Sequence, residues 1–122
     1  MSNTVTRKGN EIVVSITETS VSSSTEETIA IGVTKGRILR QTSALTSGTG
    51  STVDPILART SGGTGINVVV ENGTAAAIVD NQTNGGVPFY SSTGNLYHKS
   101  VPNSGTNNAV SSEYLIIVGF GD

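Results

Sequence analysis

Apolar residues recur at every second position in short runs along this chain. Residues 11–17 read EIVVSIT and set Ile12, Val14 and Ile16 on one face, the period of a half-buried strand. Residues 28–34 repeat the pattern with Ile29, Ile31 and Val33, and residues 66–71 repeat it with Ile66, Val68 and Val70. Residues 113–120 place Tyr114, Ile116, Val118 and Phe120 on one side and Leu115 and Ile117 on the other. Two apolar faces predict a strand covered on both sides. Residues 37–45 alternate less cleanly, pairing Leu39 and Leu45 against Arg40 and Thr42. Residues 53–60 carry Ile56 and Leu57, and Pro55 marks a strand entry or an edge. Residues 74–80 form an apolar run that fits a buried strand, although Ala75, Ala76 and Ala77 also suit a helical turn. Residues 87–91 and 95–100 are short and aromatic. The count is about nine strands, and no window holds a helical period.

Turn chemistry fills the gaps. TSGTGS at 46–51, TSGGTG at 60–65, NGG at 84–86, STG at 92–94 and NSGTNN at 103–108 are built from residues that take positive φ or cap their own backbone. Asn72-Gly73 predicts a two-residue hairpin joining 66–71 to 74–80. The turn at 92–94 sets Tyr90 and Tyr97 across a second hairpin. Residues 17–28, TETSVSSSTEET, read as a long loop or the end of an N-terminal arm. Residues 1–10 are polar, include the adjacent cations Arg7 and Lys8, and offer only Val5 for burial. The expected architecture is therefore all-β: a single-domain antiparallel sandwich over 11–122, jelly-roll-like, preceded by an arm over 1–10.

Composition narrows the function classes. Of 122 residues only 13% are charged, and the net charge is −2. Seven Lys and Arg, with Lys35, Arg37 and Arg40 the nearest thing to a cluster, give no basic stripe for nucleic acid. Ser, Thr, Gly and Asn make up nearly half of the chain. A surface of hydroxyls and amides carries few charges to strip of water, so it suits burial against a partner. The absence of Cys removes disulfides, thiol catalysis and thiolate metal sites. The opening MSNTVTRKGN has no apolar core of a secretory signal. No window approaches a membrane span. The expectation is a protein made in a cytoplasm, with no membrane partner and no cofactor.

Candidate chemistry is sparse. His98 is the only histidine, in LYHKS beside Lys99. It reads as an outward or interface-facing polar residue rather than a general base. Asp54, Glu71, Asp80 and Glu113 sit at separate strand ends, so a glycosidase-type pair is not indicated. DNQTN at 80–84 lacks the ligand density of a calcium loop. SGTGST has neither the lysine nor the following helix of a phosphate loop. The sequons at Asn72 and Asn81 are matters of chance in a chain this rich in Asn and Thr. All five Phe and Tyr lie in the last third. Tyr90 and Tyr97 suit subunit contact or a sugar-stacking platform, since Tyr is enriched where an apolar body meets a wet rim.

One stretch carries a family texture. GVPFYSSTGNLYHKS, then a Gly/Asn-rich loop, then EYLIIVGFGD, resembles small virion accessory proteins of tailed bacteriophages, closest to capsid decoration (cement) proteins. The likeness covers 85–122 and rests on strand order and texture. It implies a β-rich homotrimer on the capsid surface, partnered by itself and the major capsid protein, with no catalytic residues. The expected role is non-enzymatic stabilisation of the head shell. A receptor- or carbohydrate-binding module of a tail fibre or baseplate is the rival. Val5, Arg7, Lys8, Tyr90, Tyr97 and His98 are the candidate interface residues.

Overall fold

Strict alternation builds the strand β2, Glu11–Val21. Ile12, Val14 and Ile16 turn inward and are fully buried, while Glu11, Ser15 and Thr17 face water. The computed structural model describes residues 2–21, 26–47, 52–59, 61, 67–69, 77–80, 85–104 and 108–119. Among them the chain forms strands and no helix. Beside β2 these are β1 (Ser2–Lys8), β3 (Glu26–Ala30), β4 (Lys35–Ser47), β5 (Thr52–Ala58), β6 (Asn67–Val69), β7 (Ala77–Asp80), β8 (Val87–Tyr90), β9 (Asn95–Ser104) and β10 (Asn108–Ile117). They pair into two antiparallel sheets. One runs β1-β2-β10-β4-β7, with β8 also on β4, and the other runs β3-β9-β5-β6. The all-β antiparallel sandwich expected from the alternation is what the chain forms.

The core lies between the sheets. Ile12, Val14 and Ile16 meet Ile38, Tyr114, Ile116 and Val118 on one side, and Ile29, Leu57 and Leu96 on the other. Val5, Val33 and Val87 pack at its margin. β10 is central, hydrogen-bonded to β2 and β4 together. Its inward residues are buried, and Leu115 and Ile117 on the outer face are half-buried.

Three local expectations give way. Residues 2–8, expected within an arm, are β1, the edge strand of the first sheet, in register with β2 from Ser2↔Thr17 to Lys8↔Glu11. Gly9, at φ 62°, and Asn10 make the turn, and Asn3 Nδ2 ties the strand to β3 through Glu27 Oε1 at 2.5 Å. The 72–73 turn lies outside the described residues, but the strands around it do not pair. β6 pairs with β5 in one sheet and β7 with β4 in the other. Likewise β8 and β9 belong to different sheets, so residues 91–94 cross between layers rather than close a hairpin.

β4 departs from simple alternation through a bulge. Leu115 pairs with Arg40 and Ile116 with Ile38, which leaves Leu39 as the extra residue. A bulge reverses the facing of everything beyond it. Ile38 before it and Gln41 and Ser43 beyond it therefore all point inward, so the inward phase expected from Leu39 and Leu45 is met at Gln41 and Ser43, while Leu39 itself is only half-buried. Nearby, β4 and β10 approach so closely at Gly36 that an added Cβ would lie 2.8 Å from the Ile117 carbonyl oxygen. Gly36→Ala is expected to cost about 1–3 kcal/mol, the usual range for overpacking. Urea unfolding checks it, and a loss under about 0.5 kcal/mol, typical of surface changes, would show that the two strands separate freely there.

Candidate functional site

The inward phase of β2 does not stop at Ile16. It continues to Glu18, which is 4% exposed. On β9 the inward residues are Leu96, His98 and Ser100, all buried, while Tyr97 and Lys99 face out. On β10 the same phase gives Ser112 and Tyr114, and beyond the bulge on β4 it gives Gln41 and Ser43. Four strands thus deliver polar side chains into one end of the sandwich interior. His98, expected to face outward or into an interface, is fully buried within one chain. Its parity on β9 is that of Leu96, which the core claims.

The cluster is a connected network. Ser100 Oγ donates to Glu18 Oε1 at 2.5 Å, and His98 Nε2 meets the same oxygen at 2.9 Å. His98 Nδ1 is hydrogen-bonded to the Tyr114 hydroxyl, and the two rings stand edge to face. Gln41 Nε2 donates to that hydroxyl at 3.4 Å, while Ser43 and Ser112 pair at 3.0 Å. The imidazole thus links the Glu18 carboxylate to the Tyr114 hydroxyl through its two ring nitrogens. Within the cluster, Gln41 Oε1 is left without a partner among the described residues. Burial first, and the Glu18 charge second, push the Tyr114 hydroxyl well above the ordinary tyrosine value of 10.0.

The order hydroxyl, imidazole, carboxylate is that of an activated nucleophile. Here the three groups are sealed between sheets, and neither surface depression described below is lined by any of them. The arrangement ties β2, β9, β10 and β4 together across the core. Its titration is a direct consequence. A hydroxyl whose folded pKa is raised contributes stability that is whole below pH 10 and is lost as pH rises through the folded value. Phenolate absorbance recorded below the alkaline unfolding transition is therefore expected to lack Tyr114, and Tyr114→Phe is expected to leave that amplitude unchanged. A loss of amplitude in the variant would mean that water reaches the cluster.

The other candidate residues lie apart. Arg7 and Lys8 are exposed at the end of β1, with Arg7 Nε donating to the Gly9 carbonyl at 3.0 Å. Arg7 also borders a shallow depression of about 590 Å³ with Asn10, Lys35 and Gly119. Val5 is half-buried against the core margin. Tyr90 and Tyr97, though not hairpin partners, share a groove of about 420 Å³ with Arg59, Ser61, Ser92 and Thr93. Glu18, Tyr114 and Gln41 had no place among the sequence candidates. Continuing the β2 alternation by one more step would have turned Glu18 inward, but its partner lies 80 residues away in sequence.

Among the described residues no group of His, Asp and Glu is arranged to hold a metal ion, and no helix is long and apolar enough to cross a membrane. No protein-family model matches the chain, and no curated protein matches it.

Proposed function

We propose that the protein is a non-enzymatic structural component of a tailed-phage virion, a capsid decoration (cement) protein that binds as a homotrimer between subunits of the head shell. The observation that carries this reading is the outer edge of β1. The strand ends its sheet, so among the described residues one side of its backbone has no strand paired to it. Its stretch 2–6, SNTVT, contains no charge and no proline, and the cations Arg7 and Lys8 stand only at its end. Natural edges are commonly guarded by such residues, and an unguarded edge invites a strand from another chain. The low charge supports the same reading, since little must be desolvated on contact. So does the sealing of the polar cluster, which leaves shape and backbone as the working surface.

Stapling then acts by mass action: a protein that binds only the assembled lattice stabilises it. The partners are the major capsid protein and the protein itself, the place is the capsid surface, and the trimer follows from the family resemblance. The tail-fibre or baseplate module remains the second reading, favoured by the groove under Tyr90.

Thr4 is exposed on β1, so Thr4→Lys guards the edge without touching the core. The variant is expected to keep its β spectrum and melting temperature and to bind undecorated shells at least ~10-fold more weakly, a change of about 1.4 kcal/mol. Co-sedimentation with shells measures this. Unchanged binding would remove the β1 edge from the contact.

A further inference from the structure

We infer that the groove under Tyr90 is a binding site for an acidic saccharide, a property that does not depend on the virion role. Tyr90 ends β8 and is 56% exposed, while the other described large hydrophobic residues are buried or half-buried. An isolated exposed ring needs no explanation, but this one stands over a cavity with a second tyrosine in its wall. Tyr97, half-buried on β9, is that second ring. Aromatic rings offer flat apolar faces with a polar tip, the shape that the C–H face of a pyranose stacks on. Their surroundings are hydroxyls and a guanidinium, not aliphatic side chains, which disfavours an apolar ligand. The volume, about 420 Å³, falls within the usual span of small-molecule sites, roughly 300–1,000 Å³.

Arg59 assigns the charge. Its Nε is buried and has no hydrogen-bond partner among the described residues. A buried N–H without an acceptor is costly, and the guanidinium fork matches a carboxylate in two parallel bonds. One arginine on a chain of net charge −2 does not suit a polyanion such as nucleic acid. A single carboxylate on a sugar ring satisfies both the arginine and the tyrosines.

The wall is set before any ligand arrives. Ser91 N donates to Thr34 O at 2.6 Å, and Gly94 O accepts from the backbone N–H of Ile31 and Gly32. Ser91 Oγ donates to the Asn95 carbonyl at 2.6 Å. The crossing between sheets that replaced the expected hairpin is thus pinned at both ends. Ligand binding then spends little on ordering the loop.

The chain has three tyrosines and no tryptophan, so tyrosine ring resonances in proton NMR separate the groove from the core. The whole protein is titrated with glucuronate, glucose and inorganic phosphate, each up to ~50 mM, enough to saturate a site of millimolar Kd. Glucuronate is expected to shift the rings of Tyr90 and Tyr97 and leave Tyr114 still. Glucose is expected to bind about tenfold more weakly or worse, the worth of one charge-assisted contact, and phosphate to leave both rings unmoved. Tyr90→Ala and Arg59→Gln are each expected to weaken glucuronate about tenfold, with the β spectrum unchanged. No shift at either ring overturns the site. Glucose binding as well as glucuronate, or Arg59→Gln binding as the parent does, overturns the acidic class. Equal response to phosphate overturns the saccharide.

Discussion

His98→Ala is expected to lower the unfolding free energy by about 3–5 kcal/mol, the range when removal of a buried partner leaves a carboxylate uncompensated. The imidazole is fully buried and is one of two donors to Glu18 Oε1. Without it, the carboxylate keeps only Ser100, and the Tyr114 hydroxyl loses its ring-nitrogen partner. Both groups stay where water does not reach. The double variant Glu18→Leu/His98→Leu separates the two contributions, because it leaves no charge behind. It is expected to recover much of the loss, as apolar replacement of a buried pair commonly does. Urea unfolding of parent, single and double variants closes the cycle. A single-variant loss under about 1 kcal/mol, the size of an ordinary hydrogen bond, would contradict a sealed cluster.

Ile116→Ala is expected to cost about 2–5 kcal/mol, as deletion of a buried aliphatic side chain does. Ile116 is fully buried on the central strand of its sheet, paired with Ile12 on β2 and Ile38 on β4. The neighbouring Ile117 is half-buried on the opposite face. Ile117→Ala is expected to cost clearly less, since part of its surface is already wet. Equal losses from the two variants would mean that the outer face of β10 is as covered as the inner one.

The alternation in residues 11–17, 28–34 and 113–120 was enough to give the sandwich and the faces of β2, β3 and β10, because a strand with one buried side writes its period into the chain. What failed was pairing. Asn72-Gly73 is a strong local hairpin signal, yet β6 and β7 join different sheets. Turn propensity describes four residues and says nothing about which neighbour wins the ladder beyond them. The opposite error fell on Gly9-Asn10. That pair is also a hairpin signal, and the polar β1 before it hid a strand with only Val5 to bury. In β4, a single extra residue at Leu39 turns Ile38 inward and leaves Leu39 half-buried, which no two-residue period foresees.

The buried network was less legible still. Polar residues of TETSV read as loop, and a lone histidine beside lysine reads as surface. Glu18 and His98 become partners only when the sheets stack, and that is a long-range fact. The hairpin expected between Tyr90 and Tyr97 does not form, and the two tyrosines line one groove because residues 91–94 cross between layers. Arg59 had no sequence signal of its own; its meaning comes from a buried nitrogen without a partner on a residue that lines a groove.

The central claim is that the protein works by occupying sites on an assembled head shell. Gold-labelled antibody against it, imaged on intact particles in negative stain, tests this most directly. The account predicts label spread over the whole head at many copies per particle. Label confined to a few copies at the tail, or absent from the particle, would contradict it.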